Sequence, residues 1–305
     1  MLDRLCGNEP LKAALRPALA SGRLPHAILL CGADGLGRNF AARLIAADYL
    51  YPNGGAGAQA VVEGRSPECL TVRPEGDGDV IRVDRIRELR TAVRASALSA
   101  EGRIALVEDA HKMQPAAENA LLKVLEEPPA GVVFLLTATS EAALLPTIRS
   151  RCARYALTPL DRSQAVSLLT AQGCAPADAD FLWAVYDGAL GRCLAAAQDP
   201  ARMALLRRAA DFYLLLCRRD LYGMLAAVRE FEGKGEREQA LSFLSDLAGI
   251  LGAFLDQRCP PGLDLLNPEA AAAALPAVTE AAGRLRAAGS PKLIFTLLAL
   301  RLAGR

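Results

Sequence analysis

Residues 119–151 read NALLKVLEEPPAGVVFLLTATSEAALLPTIRSR, and they predict a helix followed by a buried strand. The helix runs into Glu126 and Glu127 and ends at Pro128-Pro129, because proline cannot continue the helical hydrogen-bond ladder. The apolar run Val132–Leu136 has the length of a strand in a parallel sheet that is buried on both faces. The stretch therefore favours an α/β fold.

Polar and charged residues follow this predicted strand. Thr137 places a hydroxyl at the strand end, and a short connection then delivers Arg149 and Arg151 around Ser150. We expect the arginine pair to be exposed. A strand-end hydroxyl and an exposed arginine pair are both candidate functional groups.

A second strand, turn and helix lie nearer the N-terminus. Ala27–Cys31 is a short apolar run, residues 32–37 read GADGLG, and residues 40–50 have helical periodicity. This is the frame of a phosphate-binding loop, in which glycines such as Gly32, Gly35 and Gly37 let backbone N–H groups approach phosphate oxygens.

The two positions after this glycine run differ from the residues that normally bind a nucleotide there. Arg38 stands where a lysine normally contacts the β- and γ-phosphates, and Asn39 stands where a Ser or Thr hydroxyl normally binds Mg²⁺. A guanidinium is a planar fork rather than a compact charge, and a neutral amide is a poorer Mg²⁺ ligand. We expect a loop that keeps the fold and has lost the nucleotide; the alternative is a loop still competent for ATP and Mg²⁺.

A third buried strand is predicted at Ile104–Val107, with Glu108 and Asp109 at its carboxyl end. Acids opposite a phosphate-binding loop normally hold Mg²⁺ and polarise an attacking water. The usual order is Asp then Glu, so the order here is a second departure from an intact ATPase.

Asp84 is a candidate N-cap of a helix that carries three arginines on one face: Arg87, Arg90 and Arg94. A solvated face is the simpler interpretation, and a face that tracks nucleic-acid phosphates is the alternative. Residues 51–66, which are rich in Gly and Ala, predict an irregular surface insertion.

The chain has 305 residues, which is long enough for two or three domains. After residue 160 the pattern becomes helical, with a small unit at 161–199 and an alanine- and leucine-rich section at 200–305. A net charge of +1 does not indicate a global attraction to nucleic acid.

Composition also bears on cellular location and on metal binding. No run of about 18 apolar residues is present, so a membrane-spanning helix is not expected, and the cytoplasm is the expected location. The eight cysteines contain no CxxC pair and only two histidines accompany them, so we expect reduced thiols and no structural zinc.

Three strings together resemble the AAA+ subunits of bacterial clamp loaders, over nearly the full chain. They are LPHAILLCGADGLG at residues 24–37, AENALLKVLEEPP at 117–129 and LPTIRSRC at 145–152. The second and third strings are long and uncommon. The terminal PKLIF at 291–295 also resembles the last helix of the family.

The resemblance implies a RecA-like parallel-sheet domain over residues 1–160, a helical lid over 161–199 and an oligomerisation (collar) domain over 200–305. Such a loader is a hetero-oligomeric ring of five subunits that opens a sliding clamp and places it on primer–template DNA, driven by ATP. The partners implied are the tau/gamma motor subunits, the delta subunit and, through the complex, the clamp and DNA.

The resemblance also implies residue roles. Ser150, Arg151 and Cys152 match the SRC motif, whose arginine would reach the ATP site of a neighbouring motor subunit. A guanidinium supplied in trans offsets charge on the transferring phosphoryl group and is worth roughly 10³–10⁵ in rate. Thr137 matches the sensor 1 position and Arg192 the sensor 2 position.

The departures at residues 38, 39, 108 and 109 fit the non-catalytic delta-prime type of subunit better than the tau/gamma motor type. The family often has a four-cysteine zinc module after the phosphate-loop helix, and this window holds only Cys69, so no zinc cofactor is expected. The alternatives are an ATP-hydrolysing motor subunit, a related repair ATPase, or a DNA-binding module that uses the arginine face at residues 87–94.

Overall fold

The computed structural model describes residues 1–76, 78–94, 102–233, 236–263 and 268–304. The chain divides into two compact units, Met1–Pro159 and Leu160–Arg305. A further division of the second unit near residue 199 stays a prediction.

The first unit alternates strands with helices. Its strands are β1 (Ala27–Cys31), β2 (Cys69–Val72), β3 (Arg103–Val107), β4 (Val132–Ala138) and β5 (Ala153–Ala156). Its helices are α1 (Glu9–Ala20), α2 (Arg38–Leu50), α3 (Ala56–Val62), α4 (Val83–Ala92), α5 (Pro115–Glu126) and α6 (Pro146–Arg149).

All five strands are parallel and form one sheet in the order β2-β3-β4-β1-β5. Strand β4 thus lies between β1 and β3, so the carboxyl ends of these three strands are neighbours on one edge. The predicted α/β class is confirmed.

Side chains alternate across the sheet and build a core on each face. Leu29 and Phe134 belong to one core cluster, which includes apolar residues of α4, α5 and the α6 segment. Ile28 and Leu135 belong to the other, with residues of α1, α2 and α3. Both faces are therefore covered by helices, as a parallel sheet requires.

Three local predictions were wrong. Within residues 51–66, α3 is a helix that buries Ala58 and Val61, because small side chains let it pack closely on α2. Helix α4 begins at Val83, and Asp84 lies in its first turn without capping it. Strand β4 runs to Ala138, so Thr137 lies inside the strand.

The second unit is helical. Its helices are α7 (Arg162–Ala171), α8 (Pro176–Tyr186), α9 (Leu190–Gln198), α10 (Pro200–Cys217), α11 (Leu221–Val228), α12 (Arg237–Leu255), α13 (Pro268–Arg286) and α14 (Pro291–Ala303). A 3₁₀ turn, Arg229–Glu232, follows α11. The α-helical winding of α11 therefore gives way to 3₁₀ winding at Arg229.

Helix α12 is the core helix of this unit. Among the described residues it is the one helix long and apolar enough to cross a membrane by length and composition, yet half of that window is buried in the protein. Its Phe243 packs edge-on against Phe212, and its Asp246 is fully buried and paired with Arg202. A buried ion pair and edge-on aromatic packing are features of a globular core.

Candidate functional site

The candidate residues of the first unit gather at the carboxyl edge of its sheet. The glycine loop follows β1, the acidic pair follows β3, and Thr137 lies near the end of β4. Because β4 separates β1 from β3, Thr137 stands between the loop and the acids. This edge is where open α/β sheets bind ligands.

The glycine loop has the backbone that its glycines predict. Gly35 and Gly37 have φ values of 86° and 81°, a left-handed conformation that favours glycine. Gly37 precedes the first residue of α2, so the chain enters the helix directly from the loop. The frame of a phosphate-binding loop is therefore present.

The Arg38 side chain points into the glycine loop rather than toward solvent. Its guanidinium is 6% exposed, donates to the carbonyl oxygen of Gly32, and lies 2.9 Å from a carboxylate oxygen of Asp34 and 2.9 Å from one of Asp109. Its Nε is buried and has no hydrogen-bond acceptor among the described residues. The positive charge that would meet a phosphate is thus neutralised by carboxylates of the same chain.

Asn39, Thr137 and Asp109 complete a closed set of hydrogen bonds. The Thr137 hydroxyl donates to Asn39 Oδ1 at 2.6 Å and accepts from the Asp109 backbone N–H at 2.8 Å. Asn39 Nδ2 lies 3.4 Å from Asp109 Oδ2, and Asp109 has a left-handed φ of 51°. The strand-end hydroxyl therefore has partners within the chain.

The other acid, Glu108, is buried and also paired with arginine. Arg43 Nη2 lies 2.6 Å from Glu108 Oε1, and Arg73 Nε lies 3.8 Å from Glu108 Oε2. A carboxylate that balances a guanidinium is a poor Mg²⁺ ligand, since the cation would have to displace the arginine. The sequence interpretation missed both arginines, although Arg43 lies one helical turn after Asn39 and so faces the same edge.

His111 follows the acidic pair and is half-buried. Burial lowers the pKa of its imidazole, and its Nδ1 is buried without a hydrogen-bond partner among the described residues. Neutral imidazole is the form that this environment favours.

The SRC residues lie on the connection after α6. Arg151 has a side chain that is 34% exposed; its Nη2 lies 2.8 Å from Glu126 Oε1 and its Nη1 donates to the Thr147 carbonyl at 2.9 Å. The expected exposure of the arginine pair is only partial, because Arg149 is half-buried and its Nε has no acceptor among the described residues.

Ser150 and Cys152 flank Arg151 in different environments. Ser150 is exposed, and its hydroxyl donates to the Thr147 carbonyl at 3.1 Å. Cys152 is buried in a core cluster with Ile148, and burial raises the pKa of its thiol to about 11. Cys152 therefore anchors the segment that presents Arg151.

The three arginines predicted for one helix face share their surface with acids, and Arg94 lies in the turn after α4 rather than on the helix. Arg87 and Arg94 are exposed and Arg90 is half-buried. Arg87 Nη1 donates to Asp84 Oδ1 at 3.1 Å, and Glu88 lies on the same exposed side. A mixed surface attracts phosphates less strongly than a purely basic one.

Arg192 belongs to the second unit, where it lies in the first turn of α9. Its guanidinium carbon stands 4.4 Å from the centroid of the Tyr186 ring, a cation–π geometry, and its Nη2 is 3.4 Å from Ser245 Oγ. The Tyr186 hydroxyl in turn donates to Asp246 at 3.1 Å. These contacts hold Arg192 within the helical unit.

The cysteines of the chain are all unpaired thiols. Burial raises the pKa of the Cys69 thiol to about 11. Within the described ranges, three or more His, Cys, Asp or Glu side chains nowhere form a group suited to a metal ion. The expectation of no zinc stays a prediction.

Comparisons with known proteins match this chain to subunits of DNA polymerase III. Residues 7–161 match the family model described as DNA polymerase III, delta subunit. Over 139 residues the chain is 38% identical to the delta' subunit of DNA polymerase III from Pseudomonas aeruginosa, covering 43% of this chain and 42% of that protein. Over 159 residues it is 35% identical to the gamma/tau subunit from Mycobacterium tuberculosis, covering 49% of this chain and 27% of that protein.

The matched stretch spans less than half the length of each of these two relatives. A crystal structure of a DNA polymerase III gamma subunit-related protein from Thermotoga maritima aligns with a TM-score of 0.50 at 19% identity, covering 95% of this chain and 99% of that one. At this identity the likeness concerns the fold alone.

Proposed function

The chain belongs to the DNA polymerase III delta subunit family of clamp-loader subunits, and on that premise we propose that it acts as a delta-prime-like stator. In this role it helps to load a sliding clamp on primer–template DNA, without hydrolysing ATP itself. It donates Arg151 to the ATP site of a neighbouring tau/gamma motor subunit within a hetero-oligomer that also contains the delta subunit.

The observation that carries this proposal is the position of Arg38. Its buried guanidinium contacts Gly32, Asp34 and Asp109, so a nucleotide would have to displace three partners to reach the loop. No comparable cost arises in a loop with a small lysine ammonium at this position.

The acidic pair supports the same conclusion. Both Glu108 and Asp109 are engaged by arginines of the chain, and their order is the reverse of the usual one. The Mg²⁺ ion that bridges β- and γ-phosphates in phosphoryl transfer would lack an available carboxylate.

The position of Arg151 supports the donated role. Its guanidinium is partly exposed and its carboxylate partner Glu126 is half-exposed, so the guanidinium is accessible to an anion supplied from outside the chain. An accessible guanidinium is able to meet the γ-phosphate of another subunit, where charge develops during transfer.

Helix α14 supports assembly into a larger complex. Leu293, Leu297 and Leu300 are large apolar side chains that are each 44% exposed or more, at spacings that place them along one side of the helix. Exposed apolar patches of this kind mark protein interfaces. The collar role of residues 200–305 is part of the proposal, as is direct DNA contact through Arg87, Arg90 and Arg94.

A cytoplasmic location follows from a replication role and belongs to the same proposal. A second candidate function is an ATP-hydrolysing motor subunit of the same family. The observation that favours it is the 35% identity to a gamma/tau subunit.

Equilibrium titration of a fluorescent ATP analogue onto the isolated chain separates the two candidates. The stator proposal expects no saturable, Mg²⁺-dependent binding in the micromolar range. Micromolar binding that is abolished by Arg38→Ala would instead support the motor function.

The donated arginine is tested in the reconstituted complex with its motor, delta and clamp subunits on primed DNA. Arg151→Ala is expected to lower stimulated ATP turnover roughly 10³-fold while the complex still assembles, as measured by gel filtration. Arg154→Ala is a matched control, because Arg154 is an exposed arginine of the next strand that pairs with Glu141 at 2.8 Å. Unchanged turnover in Arg151→Ala would refute the donated role.

A further inference from the structure

Arg151 is held by a carboxylate that the sequence interpretation did not assign. Glu126 Oε1 accepts from Arg151 Nη2 at 2.8 Å, across 25 residues of sequence. On its other side the guanidinium is held by the Thr147 carbonyl at 2.9 Å, and Ser150 Oγ lies 3.5 Å from the same Nη1. The side chain is thus fixed from two directions.

The position of Glu126 follows from the end of α5. Glu126 is the last residue of the helix, and Glu127 leaves the helix with φ −128° ahead of the two prolines. An acid at the carboxyl end of a helix is unfavourable against the helix dipole, and a nearby guanidinium offsets this. The prolines thus fix where the carboxylate stands, and the cation gives it a partner.

The contacts leave part of the guanidinium available. An arginine has five N–H donors; Glu126 and Thr147 engage one each, and Ser150 Oγ is the acceptor for the second Nη1 proton. The Nε–H and the second Nη2 proton remain for a further acceptor. A long side chain loses much rotamer freedom when it is ordered, and here that loss occurs before any anion arrives.

We propose that Glu126 is a positioning residue that orients Arg151 toward the nucleotide phosphates of a neighbouring subunit. This inference rests on the proposed function, because it needs Arg151 to act in trans. Glu126 touches neither the nucleotide nor the reacting atoms; it acts through the guanidinium that it holds.

The test is steady-state ATP turnover of the reconstituted complex with Glu126→Ala. The expected result is a kcat lowered about three- to tenfold with the KM for ATP unchanged, since orientation affects the transition state more than ATP binding. Glu126→Gln keeps a carbonyl acceptor at the same reach and is expected to restore kcat to within about twofold of the unchanged chain.

Glu127→Ala is the matched control, because Glu127 is the adjacent exposed acid and pairs with no cation among the residues that the structure describes. It is expected to leave kcat unchanged. Adding Glu126→Ala to Arg151→Ala is expected to lower turnover no further, because Glu126 acts only through Arg151.

The outcomes separate this inference from the function on which it rests. If Arg151→Ala leaves turnover intact, the proposed function fails. If Arg151→Ala abolishes turnover but Glu126→Ala matches the unchanged chain, or if the double variant is worse than Arg151→Ala alone, the positioning role is wrong and the donated arginine stands.

A readout without catalysis uses the isolated full chain. NMR relaxation of the Arg151 side-chain ¹⁵Nε group reports its order on the ps–ns timescale. The order parameter is expected to fall in Glu126→Ala and to stay unchanged in Glu127→Ala. An equally ordered Arg151 in both variants would overturn the proposal.

Discussion

Arg38 and Arg151 lie in the same α/β unit but differ in burial and in their partners. Arg38 is almost fully buried between two aspartates and a loop carbonyl, whereas Arg151 is one-third exposed and held by one half-exposed glutamate. The charge of Arg38 is balanced by carboxylates within the chain, whereas the Arg151 guanidinium is accessible to another molecule.

Under the proposed function, this contrast distinguishes a nucleotide site that has been lost from an interface that has been kept. A buried ion pair is costly to break, because the remaining charges are left in a poorly solvated place. An exposed pair is worth only about 0–1 kcal/mol. We therefore expect changes at Arg38 to act on the stability of this chain, and changes at Arg151 to act on a partner.

After Arg151→Ala, the largest effect is expected for Arg151→Lys in the reconstituted complex. Lysine keeps the charge but loses the planar fork that spans two phosphate oxygens, so stimulated turnover should fall about a hundredfold. Turnover within a factor of three of the unchanged complex would show that charge alone suffices at this position.

The inward arginine is tested by Arg38→Ala in the isolated chain. Removal of the guanidinium leaves Asp109, whose side chain is only 21% exposed, without its cation, whereas Asp34 is 77% exposed and stays solvated. Because of Asp109, the free energy of unfolding should fall by about 2 kcal/mol in urea titrations. Arg154→Ala breaks an exposed pair and should change it by less than about 0.5 kcal/mol. Equal losses would remove the energetic difference between buried and exposed arginines on which the contrast depends.

Restoring the expected loop residues tests whether Arg38 keeps nucleotide out. In Arg38→Lys combined with Asn39→Thr, a smaller ammonium and a hydroxyl replace the fork and the amide. Binding of a Mg²⁺–ATP analogue should become at least about tenfold tighter, measured by fluorescence titration. Binding no tighter than that of the single variant Arg38→Lys would indicate that the paired acids alone exclude the nucleotide.

The smallest effect is expected for Cys152→Ala, which probes the anchor beside Arg151. Loss of a buried sulfur should lower the free energy of unfolding by about 1 kcal/mol at pH 7 and leave assembly intact. Burial raises the thiol pKa from 9.0 to about 11, so folding disfavours the thiolate, and the stability that this provides is complete below pH 9 and lost as the pH rises toward 11. The difference in free energy of unfolding between the unchanged chain and Cys152→Ala should therefore become smaller between pH 9 and pH 11. A difference that stays constant over this range would contradict the prediction.

Local pattern predicted the framework of the α/β unit. The strand Ala27–Cys31 has the bounds that its apolar run indicates. Helix α3 was missed because alanine and glycine carry little hydrophobic signal, and its burial depends on how closely it approaches α2. Composition alone does not reveal such an approach.

The candidate site was predicted in its residues but not in its contacts. The sequence indicates that Arg38, Asn39, Asp109 and Thr137 meet at one edge, since strand ends and loops can be placed from pattern. It does not show that Arg38 turns inward, because that depends on Asp109, 71 residues away, and on the left-handed backbone there. The pairing of Glu126 with Arg151 was missed for the same reason.

The network around Arg38 also has an evolutionary consequence. Arg38 ties residues after β1 to residues after β3, so a first mutational step back toward lysine loosens the fold before any ATP turnover is gained. If the chain has lost hydrolysis, as we propose, this network would act as a ratchet, because a substitution that weakens the fold is selected against before a later one restores activity.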